Sequence, residues 1–280
     1  MKKILAVLIS LLFVGSAFGI VSLFGATGGP DEFGYTYDDA VPYQWIDISE
    51  TGIDTGLKDY GGTTIPMGFN FNFYGNTYDE IYISTSGFLQ FGGQGNNPSG
   101  SDYENQDMPI DDNLDNIICP FWDDLILEND EREIGRIYYQ SFPDKFIIQW
   151  NEVMHSNDQY TTVGGFPSTI YQGSKFTFQV IFFKDSNAIK FQYKEMVDSR
   201  YLYADGRSAT IGIENIDGTI GLKYFFGEYN ESSNPGAPLG PIRNGLAIGF
   251  KYPGRKAPWD TGQLPMAQIL KILKANKDKE

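Results

Sequence analysis

The stretch Gly68–Gly92, GFNFNFYGNTYDEIYISTSGFLQFG, decides the fold. Phe69, Phe71 and Phe73 alternate with Asn70, Asn72 and Tyr74, so one face of an extended segment is apolar and the other polar. Gly75-Asn76 supplies residues that tolerate positive φ at a tight turn. Ile81 and Ile83 restart the alternation, Gly87 interrupts it, and Leu89 and Phe91 resume it. The pattern predicts two successive antiparallel hairpins whose aromatic face needs a second sheet to cover it.

The rest of the chain supplies that second sheet. Of 280 residues, 41% are hydrophobic and 15% aromatic, ample for one large all-β domain with a substantial core. Strands are expected at Tyr43–Ile48, Thr63–Phe69, Ile117–Leu127, around Ile137 and Tyr139, and at Phe146, Ile148 and Trp150. The run Phe176, Phe178, Val180, Phe182, the turn Asp185-Ser186-Asn187 and the run Ile189, Phe191, Tyr193 read as a further hairpin. Strands at 209–213, 219–225 and 246–252 complete an antiparallel two-sheet β-sandwich of jelly-roll-like form.

The expected organisation is a signal peptide at 1–19, a flexible lead at 20–34, the sandwich at 35–254 and a basic tail at 255–280. Lys2 and Lys3 precede an apolar run, Ile4–Val14, and Ala17-Phe18-Gly19 offers a cleavage site. In the tail, Met266, Ile269, Leu270 and Leu273 fall at helical spacing and predict a short amphipathic helix. That helix would dock on its own domain or meet a partner. No stretch after the leader is long and apolar enough to span a bilayer.

Charge narrows the function. Between Ile20 and Gly254 stand 13 basic against 33 acidic residues, a balance of −20. Nucleic acid is a poor partner for such a body, because phosphate contacts need clustered Lys and Arg. Cations, neutral glycans, or plain solubility outside the cell all accord with it. Cys119 has no second cysteine to pair with, and its setting in IICPFW is that of a small buried hydrophobe.

The ordered motifs FNFYGN, STSGFLQFG, NIICPFWDDL, KFIIQWNEVMH, FTFQVIFFKDSNAIKFQY, SATIGIEN and GLAIGF resemble a secreted bacterial and archaeal surface module related to nidogen-like domains. The resemblance covers roughly Phe33–Tyr252 and implies a β-sandwich with binding or scaffolding roles. An exported, non-catalytic surface or matrix module for adhesion or structural protein interaction is the leading expectation, extracellular or at the cell surface, with the periplasm as another compartment. A carbohydrate-binding module is the alternative.

Three constellations could carry chemistry. Glu128, Asp130 and Glu133 have the E-x-D-x-x-E spacing of a retaining glycoside hydrolase, but the residues between them are polar, as in a solvated turn. Asp111, Asp112 and Asp115 with Asp123 and Asp124 could supply oxygens to a structural Ca²⁺, or the Asp pair could cap a strand end. Tyr103, Tyr160, Tyr171, Tyr201 and Tyr203 lie in expected loops, where they would bind an extracellular protein or glycan or seal the sandwich ends. His155, the single histidine, follows a strand and has no nucleophile-elbow motif to serve.

Overall fold

A computed structural model describes residues 25–58, 61–92, 103–109, 114–129, 132–133, 135–156, 174–198, 203–228 and 239–260. The segments expected to form a leader and a C-terminal amphipathic helix lie outside the described residues. In chain order the strands are β1 (Thr27–Gly28), β2 (Thr36–Asp38), β3 (Ile53–Asp54), β4 (Gly62–Phe73), β5 (Asn76–Ser84) and β6 (Leu89–Gln90). Next come β7 (Ile117–Trp122), β8 (Leu125–Ile126), β9 (Glu128–Asn129), β10 (Arg132–Glu133), β11 (Arg136–Ser141) and β12 (Lys145–His155). The last five are β13 (Lys175–Phe183), β14 (Ala188–Val197), β15 (Thr210–Glu214), β16 (Gly221–Phe226) and β17 (Leu246–Lys251). The larger sheet runs β1-β2-β17-β14-β13-β12-β11-β3, with β8 attached to the end of β12, and the smaller runs β16-β15-β7-β6-β5-β4. All ladders are antiparallel.

The aromatic stretch forms the inner face of the smaller sheet, as its alternation requires. Phe71, Phe73, Ile81, Ile83 and Leu89 are fully buried, and Phe69 and Phe91 nearly so. Opposite them lie Phe146, Ile148 and Trp150 of β12, Phe178, Val180 and Phe182 of β13, and Phe191 of β14. Phe71 meets Phe182 edge-on at 5.2 Å, a favoured aromatic geometry. Two buried donors cross the interface: Trp150 Nε1 donates to Ser84 O at 3.2 Å and Tyr193 OH to Pro120 O at 2.7 Å. Each leaves a polar tip satisfied where an apolar body is buried.

Three expectations change in detail. The first turn is Tyr74-Gly75 rather than Gly75-Asn76, since Phe73 pairs with Asn76 and both turn residues have positive φ. Tyrosine rarely adopts that conformation. Here its hydroxyl donates to Asp31 Oδ2 at 2.8 Å, and its ring packs on Phe33, Tyr35 and Phe73. The stretch read as a flexible lead contributes β1, which pairs with β2 through Thr27↔Asp38 and Gly28↔Tyr37. Finally, Tyr43–Ile48 belongs to neither sheet ladder.

That segment instead crosses the outer face of the larger sheet, held by glutamines. Gln149, Gln179 and Gln192 are register partners on β12, β13 and β14, so their side chains form a row across the strands. Gln44 N donates to Gln192 Oε1 at 2.6 Å, and Gln192 Nε2 donates back to Gln44 O at 2.9 Å. With its amide turned so that oxygen meets donors, Gln179 donates to Ile46 O at 3.1 Å and accepts from Ile46 N at 3.3 Å. Ile48 N donates to Gln149 Oε1 at 3.1 Å. Primary amides thus take the place of a neighbouring strand's backbone, residue by alternate residue.

Candidate functional site

A bulge in β12 builds the polar end of the sandwich. Register with β13 shifts between Trp150 and Val153, where Glu152 takes φ 59° and donates its N–H to Thr177 Oγ1. Bulges bend the strand and re-aim the side chains past the bend. On its far side, β12 pairs with β8 through Met154↔Ile126 and His155↔Leu125. Since β8 follows Asp123-Asp124 directly, this pairing carries His155 to the aspartates.

The cluster is closed and polar. His155 is 1% exposed and Asp123 0%. His155 Nε2 lies 3.2 Å from Asp123 Oδ1, and Ser208 Oγ donates to Asp123 Oδ2 at 2.7 Å. Asp123 Oδ1 also accepts the N–H of Asp124 at 2.9 Å. Asp124 Oδ2 accepts from Ser156 Oγ, and Ser174 Oγ accepts from His155 N at 2.8 Å. Tyr203 stacks on the imidazole, ring centroids 3.7 Å apart and planes 15° from parallel. Its N–H donates to Asp198 Oδ2 at 2.8 Å. Arg207 forks onto Asp205 at 3.0 and 2.7 Å, bracing the same turn, and that carboxylate raises the guanidinium's already high pKa.

This geometry ties loops together. A serine nucleophile needs its Oγ on an imidazole acting as base. Here Ser208 is bonded to the carboxylate, while His155 spends Nε2 on that carboxylate and one ring face on Tyr203. Three chain segments, 123–124, 155–156 and 203–208, meet on one buried aspartate. The sequence places His155 at the end of a strand, and the structure makes it the last residue of β12, bonded to Asp123 in the loop after β7. Ser208 and Asp198 carry no local signal in the sequence, because their partners lie far along the chain or across the turn.

The other expected site residues do not join the latch among the described residues, Asp124 and Tyr203 apart. Asp115 precedes β7 and Asp123 follows it, so a strand of six residues puts roughly 20 Å between these two aspartates. The proposed union of 111–115 with 123–124 around one ion is therefore not assembled by Asp115 and Asp123. Asp111 and Asp112 lie outside the described residues. Among the described residues no group of three or more His, Cys, Asp or Glu is placed to hold a metal. Tyr203 is buried, not displayed, and Tyr103 is half-buried. Tyr160, Tyr171 and Tyr201 fall outside the described residues. Glu133 is the register partner of Glu128 in a two-stranded hairpin, and Glu128 is ion-paired to Lys58 at 3.1 Å.

Two antiparallel sheets closed over one aromatic core, with loop anchors gathered by a buried polar latch, define an all-β sandwich domain. The chain belongs to the nidogen-related (NIDO-related) family, whose model matches residues 34–236. Neither the curated proteins nor the solved structures yield a match.

Proposed function

We propose that this protein is an exported, non-catalytic surface or matrix module that holds an extracellular protein partner. Its membership of the nidogen-related family over residues 34–236 carries the reading. The Asp123–His155–Ser208 latch supports it. A module that binds with loop segments profits from rigid anchors, since ordering entropy is then spent before the partner arrives. Ser156, Ser174, Asp198 and Tyr203 are such anchors, each bonded within or beside the latch. A structural Ca²⁺ at the acidic loops remains a proposal of the sequence, checked by comparing melting curves in millimolar Ca²⁺ and in chelator.

The test is capture from envelope material with the mature chain as bait. A protease-sensitive, saturable partner is expected. A partner destroyed by periodate but not by protease would replace protein interaction with glycan binding. Glycoside hydrolysis is tested separately by screening mixed β-glucans against wild type and Glu128→Gln. Turnover that the substitution removes would overturn the non-catalytic reading.

A further inference from the structure

The strongest unassigned feature is a cleft of about 550 Å³ on the outer face of the larger sheet, away from the latch. Its size falls in the range of small-ligand sites, roughly 300–1,000 Å³. The β13–β14 turn, the start of β12, Gln44 of the crossing segment and residues 255–258 surround it. Phe183 lies half-buried in its wall. Lys145, Arg255 and Lys256 line it together with Asp144 and Asp185, and Lys145 Nζ lies 2.9 Å from Asp144 Oδ2, a pair open to solvent on the aspartate side that a ligand anion would share.

A fourth cation stands behind the aromatic wall. Lys190 is 5% exposed, with Nζ 5.8 Å from the Phe183 ring centre and 6.0 Å from that of Trp259. Its polar contact is a long one, 3.4 Å to Pro42 O. Burial, with Lys145 nearby, lowers its pKa, as expected of a cation short of counter-charge. In a chain of net charge −15, three lining cations and Lys190 against two lining carboxylates leave a modest local excess of positive charge beside an aromatic surface.

We infer that the cleft binds a saccharide carrying an anionic group, carboxylate or sulfate, with the anion on Lys145 and Lys256 and a sugar ring against Phe183. The mixed lining selects a sugar over a polyanion. Asp144 and Asp185 accept hydroxyl hydrogens from a sugar, and the Gln44 and Ser186 side chains add neutral polar partners. An acidic peptide would offer those two aspartates mainly like charge. The inference is independent of the loop anchors, since none of these residues belongs to the latch.

The probes are digalacturonate, its methyl ester, a sulfated disaccharide and tetraglutamate, titrated calorimetrically into the full chain, wild type and Lys145→Gln/Lys256→Gln. Digalacturonate, the sulfated disaccharide or both should bind saturably, and their relative affinity identifies the anion. Loss of charge-assisted contacts should weaken binding by about tenfold or more in the ester and in the double variant. Melting temperature of the variant should stay near wild type, because both lysines are replaced at or near the surface. Phe183→Leu, which keeps the cations, should weaken sugar binding without changing the preference for the acid over the ester. The inference falls if neither acidic sugar binds, if the ester binds equally, if tetraglutamate binds as tightly, or if the double variant is unaffected. Failure of envelope capture leaves these outcomes untouched, so the two proposals fail separately.

Discussion

The outer faces of the two sheets are both covered by chain from outside their ladders, but with a different balance of apolar packing and hydrogen bonding. On the smaller sheet, Met108 and Leu114 pack onto Tyr82, Phe88, Ile117, Cys119 and Trp122 as a second apolar cluster. Burial and the neighbouring Glu214 push the Cys119 thiol well above its ordinary pKa, which suits an inert filler. Asn105 adds two hydrogen bonds, to Thr210 Oγ1 at 3.0 Å and Gly227 O at 2.8 Å. On the larger sheet Ile48, with Ile46 beside it, packs on Ile147 and Ile181, and in addition the cover's backbone is bonded at alternate residues by Gln149, Gln179 and Gln192. Apolar packing rewards volume and tolerates repacking, whereas a hydrogen-bonded row rewards register. The first cover is interchangeable in detail. The second is addressed residue by residue.

Replacement beneath the apolar cover should cost most. Trp122, 2% exposed and 5.5 Å from Phe88, should lose about 3–5 kcal/mol on substitution by alanine, read by urea unfolding. A smaller loss would mean that the cluster collapses into the gap and that the cover is looser than its burial implies.

Gln179→Leu sharpens the contrast, because it keeps bulk and removes both hydrogen bonds to Ile46. The expected cost is about 1–3 kcal/mol for the polar groups left unmet. Amide hydrogen exchange should quicken at Gln44, Ile46 and Ile48 while amides of β7 keep their protection. If exchange does not change along that segment, the glutamine row is ornamental.

Lys190 gives a pH signature to the larger sheet's face. Its folded pKa is lowered by burial first and by Lys145 second. Between that value and the unfolded value, about 10.4, the unfolded chain binds more protons, so stability from this group rises with pH. Below the lowered value its cost is constant. The difference in unfolding free energy between Lys190→Met and wild type should therefore move in favour of wild type as pH rises to about 10, the ordinary tyrosine value. Above that pH the buried Tyr74 and Tyr193 hydroxyls, whose pKa values are raised chiefly by burial, make stability fall for both proteins.

The smallest effect is expected at the rim of the same face. Lys194 Nζ lies 2.8 Å from Asp47 Oδ2, with both side chains more than 40% exposed. Burial works to raise the Asp47 pKa, but hydrogen bonds from Lys194, Ser49 and Gln149 bring it well below the usual range. Stability from that carboxylate is present above its unfolded pKa and lost as pH falls through the folded one. Solvent screening keeps Lys194→Met within about 1 kcal/mol, and the difference should shrink further in high salt.

What the sequence by itself determined was the set of residues that must face inward. Phe69 through Phe91 repeat with period two, and a strand with that pattern has one place to put its aromatic face. All seven residues of that set are buried between the sheets. The hairpin from Phe176 to Tyr193 was legible for the same reason, with a turn between two clean alternations. Glutamines at the middle of FIIQW, FTFQV and KFQY were a visible signal, single amides on the outward face of apolar strands, but they named no partner. Only the tertiary structure supplied one, since Gln44 meets Gln192 across 148 residues and Ile48 meets Gln149 across 101. It also moved the first turn onto Tyr74, through a hydroxyl bonded to Asp31, and brought His155 to Asp123 through a bulge. Periodicity records which side of a strand is apolar. It carries no information about which distant donor will meet a buried acceptor, because that pairing exists only once the sheets have closed.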